Sequence, residues 1–596
     1  MNAEELSARA AVRDAFLSWK RRIQPETKTR LLFWCLAMLF GGLQAWSARA
    51  KVVNDTVSYL DMGNYLRHGN WSQAINGLWN PLYACLLGLT MSLFRPSPYR
   101  EYPLVHALLF FIFLFAMATF DFFLRELILF RQECESTKEL SAPIWVWLTI
   151  GYTVFVWSSL QLIGVWESNP DMIIAAFFYL ACGFLIRIRR DLAGWSTYLA
   201  LGLVLGLGYL TKAVMFPVSL LCFAVAWLAG RSLRRGIPRV LAGLLIFLVV
   251  SGPFIVALSV VKGRLTFGET GKYNYAVHVN NVPAVHWQGE NAENGLPVHA
   301  THKIFERPAI FEFASPVGGT YPVWYDPTFW YEGIKVRFDP REEARTMWKN
   351  LRWEIELFFD LNGSIVAAWF VLFYVGGKKL HVLRDLRDYW FLFVPAITTL
   401  VLYSFVHWEP RYVAPFLVVV IVCCFLSIQL PDTMESRRLF RAVAVLLSVM
   451  LICPLGPGSI RLKTGIFDLP PSGDDPNSDP EVAGEMYRIG LHPGDRIASL
   501  WLSNLGMSNW AHLAGLKIIA EVYYWPGKPD TQANDFWDAD AATQVKVIQV
   551  LKSTGASAVI SQEAPRGSGG TGWVQVGRTQ YYIYWLRPVS TISRSG

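Results

Sequence analysis

Long apolar runs, separated by short loops rich in lysine and arginine, recur along most of this chain. A helix needs about 20 predominantly apolar residues to cross the hydrocarbon core of a bilayer. Runs of that order fall near 31–49, 104–128, 143–163, 172–188, 194–211, 213–230, 239–260, 362–377, 389–407, 412–430 and 440–456. Charged residues make up 17% of the chain, against roughly 25% in ordinary soluble domains. The expected fold class is an α-helical polytopic membrane protein with about 11 spans. The net charge of +8 is not a nucleic-acid signal, because the clustered cations lie in loops between apolar runs. The clusters are Lys20-Arg21-Arg22, Arg187/Arg189/Arg190, Arg231/Arg234/Arg235, Lys378/Lys379/Arg384/Arg387 and Arg437/Arg438/Arg441. Such loops face the cytoplasm.

One apolar segment does not fit as a span. Pro81–Phe94 would be about 21 Å long as a helix, short of the roughly 30 Å core. Counting it as a crossing inverts every later basic loop, and leaving it out puts them all inside. It is therefore expected to be a juxtamembrane helix dipping into the outer leaflet, within one non-cytoplasmic region over 50–103. Five segments then meet on the outer face: that region, the link Gly164–Asp171, the turn Thr211-Lys212, the large loop 262–361 and the turn His407–Arg411. Polar groups gathered on one face of a membrane protein mark a site.

The large loop is long for a connection, and long ordered loops are usually functional. It carries His286-Trp287, Tyr321-Pro322-Val323-Trp324-Tyr325-Asp326-Pro327 and Phe329-Trp330-Tyr331. Aromatic faces beside hydrogen-bonding groups suit sugar rings. They equally suit an aromatic belt at the lipid interface or a small core belonging to the loop. His278, His286, His299 and His302, with Glu290, Glu293 and Glu306, could hold a labile divalent cation, but the pattern argues against structural zinc.

The chain divides into a cytoplasmic N-terminal segment (1–30), a membrane module (31–456), a linker (457–480) and a soluble C-terminal α/β domain (481–596). Val12, Phe16 and Trp19 lie at helical spacing among basic residues, so Met1–Arg30 is expected to include an amphipathic surface helix. Ala48-Arg49-Ala50 resembles a cleavage site, but the polar lead-in is too long for a signal peptide and favours an uncleaved anchor. The eight cysteines lie mainly in apolar runs and imply no disulfide framework. In the C-terminal domain, strands are expected at 496–501, 517–524, 556–561, 573–577 and 581–587. Helices are expected at 508–514 and 543–554. The alternation predicts a mostly parallel sheet, with no glycine-rich phosphate loop.

Asp55 and Tyr59, then Leu66–Gly69, then Pro81-Leu82-Tyr83 follow the first span in order. Pro170-Asp171 occupies the next outer link, and Arg411-Tyr412 with Pro415 a late outer turn. In this order of features the membrane module resembles the GT-C superfamily of polyprenyl-phosphate-sugar-dependent glycosyltransferases. It is most similar to the protein-mannosyltransferase and lipid A aminoarabinose-transferase branch. Thr56 stands where that group has a second acidic residue, and Asn80-Pro81 where it has two prolines. The lysine that precedes the short helix in the aminoarabinose branch has no counterpart.

The resemblance implies an inverting transfer on the outer face of a bacterial inner membrane. The donor would be a polyprenyl-phosphate sugar and the acceptor an envelope glycan, lipid or protein. Asp55 would be the catalytic base. Lys212 and Arg411 would meet the lipid phosphate, and Tyr59, Asp61, Asp171, His407, Glu409 and Tyr412 would bind substrate. The family includes members that use a divalent cation and members that need none, so no cofactor is assigned.

Spacing alone leaves blander readings. Asp55 or Thr56 could cap a helix starting at Val57, Asp61 could lie on a solvated helix face, and Lys212 could snorkel to the interface. Two other functions also stay open. A transporter or flippase of lipid-linked sugars would need matched halves and broken spans. A membrane-anchored binding protein would have its activity in the C-terminal domain.

Overall fold

The computed structural model describes residues 24–134, 142–289, 297–360, 363–375, 386–429, 433–455, 475–500, 504–523, 536–566 and 571–587. The surface helix expected over Met1–Arg30 lies largely outside these residues, as do most of the 457–480 linker, Glu290, Glu293, Lys378, Lys379 and Arg384.

Each apolar run is helical over most of its described residues. The chain begins with α1 (Pro25–Ala48), α2 (Asn54–Arg67), α3 (Pro81–Phe94) and α4 (Pro98–Cys134). It continues through α5 (Ile144–Ser158), α6 (Asp171–Arg189), α7 (Trp195–Thr211), α8 (Met215–Ala229) and α9 (Leu233–Lys262). After α10 (Thr270–His278) come α11 (Pro340–Asp360), α12 (Gly363–Val375), α13 (Trp390–Val406), α14 (Pro410–Leu426) and α15 (Met434–Ile452). Among the described residues, six helices are long and apolar enough to cross a membrane, and five of the other expected spans are shorter apolar helices. Aromatic stacking consolidates the bundle: Phe120 lies 4.7 Å from Phe155 and 5.1 Å edge-on from Tyr179.

The short helix α3 packs along α2. Pro81 starts it at a position where a missing N–H costs nothing, and Arg95 ends it in the left-handed region at φ 44°. Two glycines set the crossing. A Cβ on Gly88 would lie 2.7 Å from the Gly63 carbonyl oxygen, and one on Gly63 would lie 2.8 Å from that of Ala84. Outward, Leu89 and Leu93 leave an apolar face uncovered.

A seven-stranded sheet forms the second layer. Its strands are β1 (His302–Phe305), β2 (Ile310–Glu312), β3 (Arg496–Ser499), β4 (Lys517–Val522), β5 (Ala558–Ser561), β6 (Trp573–Gln575) and β7 (Tyr582–Trp585), in the order β1-β2-β4-β3-β5-β7-β6. The helices α16 (Asp479–Arg488), α17 (Asn504–Leu513) and α18 (Ala541–Ser553) accompany it.

The expected mostly parallel sheet is corrected here. The pairs β3–β4 and β3–β5 are parallel, while β1–β2, β2–β4, β5–β7 and β6–β7 are antiparallel. The crossover helices α17 and α18 serve the parallel core. The last two strands form a hairpin, and β1 and β2 arrive from the large loop.

That loop is thus bonded into the sheet. His286 pairs with Glu521 on β4, and Tyr321 Oη donates to the same Glu521 oxygen at 2.9 Å. Several of the loop's aromatic residues are buried: Trp287, Tyr321, Trp330 and Tyr331 share a core with Ile497, Trp510 and Ile518 of the sheet layer, and Tyr325 packs into the core of the helical bundle. Burying such a side chain contributes about 1.5–3 kcal/mol.

A polar latch joins loop, sheet layer and membrane module. His512 on α17 donates from Nδ1 to Asp61 at 2.8 Å and from Nε2 to Glu101 at 2.7 Å. Thr320 donates to Asp61 from its backbone N at 2.6 Å and from its hydroxyl at 3.0 Å. Burial opposes the charge on His512, but Glu101 and Asp61 prevail and raise its pKa to about 10. Nearby, Asn509 Nδ2 donates to the Val52 carbonyl at 3.1 Å.

Candidate active site

The helix that carries Asp55 starts at Asn54, and its N-cap, Val53, offers no side-chain bond. Asp55 therefore sits inside the first turn and caps nothing, contrary to the cap reading. Entry into α2 is fixed from elsewhere. Ser168 Oγ accepts the Val53 N–H at 3.0 Å, and Thr56 Oγ1 donates to the Ser168 carbonyl at 2.7 Å. Tyr83 Oη donates to that same carbonyl at 3.0 Å.

The link 164–170 reaches this position after a sharp exit from α5. A π-turn at Ser159–Ile163 leads to Gly164, whose φ of 79° favours glycine. A Cβ there would also run into the Trp166 indole. The link ends at Pro170, and Asp171 opens α6, where the helix dipole favours a carboxylate.

Seven of the nine expected site residues line one cavity of about 380 Å³: Asp55, Tyr59, Asp171, Lys212, His407, Arg411 and Tyr412. They come from four separate parts of the chain. Arg411 is the hub. Its guanidinium lies 3.8 Å from Asp55 Oδ2, 3.2 Å from Glu167 Oε2 and 3.9 Å from Asp171 Oδ2. Lys212 pairs with Asp171 through Oδ1 and lies 4.0 Å from the centroid of the Tyr412 ring. It therefore points into the cavity, and the snorkelling reading does not describe it. Asp171 Oδ2 is buried and accepts no hydrogen bond among the described residues.

Trp324 of the large loop closes the cavity over Asp55, donating from Nε1 to Oδ1 at 3.2 Å. Burial raises the Asp55 pKa; Arg411 and the Trp324 bond oppose it without cancelling it. Burial likewise raises Glu167 against Arg411, and lowers Lys212 against Asp171. The floor is aromatic: Tyr59 lies 5.0 Å edge-on from Tyr83 and 5.3 Å from Trp79. On the far wall, the His278 and His407 rings stack at 3.9 Å. Burial, then the neighbouring His407, pushes His278 down to about 4, so this imidazole is neutral at ordinary pH.

Two expected residues lie elsewhere. Asp61 is not on a solvated face and does not line the cavity; it is buried in the latch with His512 and Thr320. Glu409 is outside the lining and 3.5 Å from His407 Nε2. Sequence reasoning missed Glu167, Asn80, Tyr273 and Tyr403. Glu167 lies in the flagged link and had a signal, as an acid in a short outer turn. Tyr403 lies within an apolar run and had none.

The histidines singled out in the loop do not converge. His286 pairs with Glu521, His299 stacks on Phe329 at 4.1 Å, and His278 faces His407. Among the described residues, no three His, Cys, Asp or Glu side chains form a group that could hold a metal ion. The carboxylates of the cavity converge on a guanidinium. The arrangement can take a proton at Asp55 and offset negative charge at Lys212 and Arg411.

No family model and no curated protein matches the sequence. Solved structures do. The apo crystal structure of ArnT from Cupriavidus metallidurans aligns with a TM-score of 0.50 at 13% identity, covering 93% of this chain and 96% of that one. The same protein bound to undecaprenyl phosphate aligns at 0.50 and 12%, covering 93% and 97%. An apo oligosaccharyltransferase from Archaeoglobus fulgidus aligns at 0.47 and 12%, covering 91% and 70%. The likeness to ArnT extends over nearly the whole of both chains, so the two share a fold.

Proposed function

We propose that this GT-C-fold chain is an inverting membrane glycosyltransferase. In this reading it moves a sugar from a polyprenyl-phosphate donor to an envelope glycan, lipid or protein. The observation that carries it is the juxtaposition of Asp55, whose proton affinity is raised, with the Lys212 and Arg411 cations in one cavity. That a protein of this fold has been crystallised with undecaprenyl phosphate supports the choice of donor. The site would face the outer side of a bacterial inner membrane. The membrane module (31–456), linker (457–480) and C-terminal domain (481–596) belong to the same proposal.

Asp55 takes the proton of an acceptor hydroxyl as that oxygen attacks the anomeric carbon. The new carbon–oxygen bond forms opposite the bond to phosphate. The older bond breaks with its electron pair leaving on the phosphate oxygen. The configuration inverts, and the phosphate needs no proton to depart. Its growing charge is met by Lys212 and Arg411. Asp171 Oδ2 accepts from a substrate hydroxyl, and Tyr59, His407 and Tyr412 shape the cavity around the sugar. Glu409 orients His407. Asp61 acts at a distance, by holding the loop that delivers Trp324.

The test is sugar release from a panel of short-chain polyprenyl-phosphate sugars, with purified wild type beside Asp55→Asn. Turnover in wild type and its loss in the variant, with donor still bound, is the expected result. Equal turnover in both proteins would remove Asp55 as base. Donor movement across a vesicle wall without sugar release would favour transport.

A further inference from the structure

A second cavity, of about 370 Å³, lies beside the C-terminal half of α2, away from Asp55. It is lined by Arg67 of α2, Arg95 at the end of α3, and Asn64, Ser92, Glu101 and His512. At 1.5 Å per residue, Arg67 stands about 18 Å along the helix from Asp55. The transfer reaction proposed above uses none of these residues.

The charges are unevenly matched. Glu101, the acid in the lining, is engaged by His512, whose other ring N–H is held by Asp61. That leaves Arg67 and Arg95. Neither guanidinium has an ion-pair or hydrogen-bond partner among the described residues, although both are exposed and line the same open cavity. Arginine forks fit phosphate oxygens through paired N–H bonds. The Asn64 amide adds a neutral donor, while the Ser92 hydroxyl is committed to the Gly88 carbonyl at 2.8 Å.

The cavity adjoins an apolar surface. Leu89, Leu93 and Phe94, on the same short helix as Ser92, are 67%, 72% and 63% exposed. Leu89 and Leu93 are one turn apart and share a face. A greasy helix edge next to two unpaired guanidiniums suits a molecule with acyl chains and an anionic phosphate.

We propose that the cavity between α2, α3 and α17 binds the phosphate-bearing headgroup of an anionic membrane lipid, its acyl chains lying along Leu89 and Leu93. The site holds lipid next to α2, the helix that carries Asp55. The proposal does not depend on the transferase reading.

The test uses the full chain in phosphatidylcholine nanodiscs carrying a trace of photoactivatable phosphatidylglycerol. Crosslinked peptides are mapped in wild type and in an Arg67→Gln, Arg95→Asn double variant. Asparagine at 95 tolerates the left-handed backbone, and unchanged thermal unfolding confirms the fold. Crosslinks concentrated at residues 88–96 in wild type, and reduced at least about tenfold in the variant, are expected. Asp55→Asn should leave them unchanged. Crosslinks spread evenly over the apolar belt, or unaffected by the double variant, would overturn the proposal. Displacement by millimolar inorganic phosphate as complete as by unlabelled phosphatidylglycerol would overturn the lipid assignment, marking a site for free phosphate.

Discussion

Trp324 reaches from the large loop to Asp55, its indole N–H bonded to a carboxylate oxygen 3.2 Å away. One neutral donor thus spans 269 positions of sequence and gives the carboxylate a fixed direction. Oδ1 is committed to Trp324, and Oδ2 faces Arg411.

If Oδ2 is the proton acceptor, Asp55→Asn removes the base while keeping size and polarity. Turnover should fall by about 10²–10⁴, with donor affinity within about threefold. A single-turnover assay beside a donor-binding titration separates the two.

The same geometry fixes a pH dependence. A base must be unprotonated, so activity rises with pH through the Asp55 pKa, which burial places above the ordinary carboxylate value. Trp324→Phe deletes a bond that favours the charged form. Its acid limb should move to higher pH than in wild type, and the kcat–pH profile of the two proteins reads the shift directly. An unmoved limb would mean that another group governs it.

Arg411→Gln should lower kcat by roughly 10²–10³, the range for losing one donor to developing negative charge. It also leaves Asp55, Glu167 and Asp171 facing one another without their shared cation. Asp55 and Glu167, whose charged forms Arg411 favours, should take up protons more readily, so part of the lost stability should return at low pH. Thermal unfolding across pH tests this.

Gly88→Val places side-chain carbons against the Gly63 backbone. Overpacking of this kind costs about 1–3 kcal/mol. A lowered Tm should accompany reduced turnover, because α2 is displaced together with Asp55.

The latch predicts a basic-side weakness. His512 has a folded pKa of about 10 against an ordinary 6.5. Its contribution is fully present below pH 6.5 and is lost as pH rises through about 10. Wild-type Tm should fall across that window, and that of His512→Asn should fall less. Parallel curves would show that the latch adds nothing.

The helices were legible because the requirement of a bilayer is written locally, in runs of apolar side chains and the basic loops between them. The odd segment Pro81–Phe94 stood out through its length and through the parity of the basic loops that follow it. Five of the seven cavity residues, Asp171, Lys212, His407, Arg411 and Tyr412, sit at ends of apolar runs, where a polar side chain is conspicuous, whereas Asp55 and Tyr59 could be named only through the family resemblance. Asp61 misled, because a carboxylate on an amphipathic helix looks the same whether its partners are water or a histidine about 450 positions away. The strands β1 and β2 were invisible for a related reason. They have four and three residues, too few to show a period, and β2 is defined by its pairing with β4.

That pairing has a consequence for how the protein is made. Ile310 on β2 meets Val522 on β4, so the ribosome must add roughly 200 residues after the loop before its partner exists. At about 5–20 residues per second, the wait is on the order of 10–40 seconds. Through that interval the membrane helices can already be inserted, while the segment carrying Trp324 has no sheet to hold it. The cavity is therefore finished only after β4 has been made, and a nascent chain halted before β4 carries Asp55 without its cover.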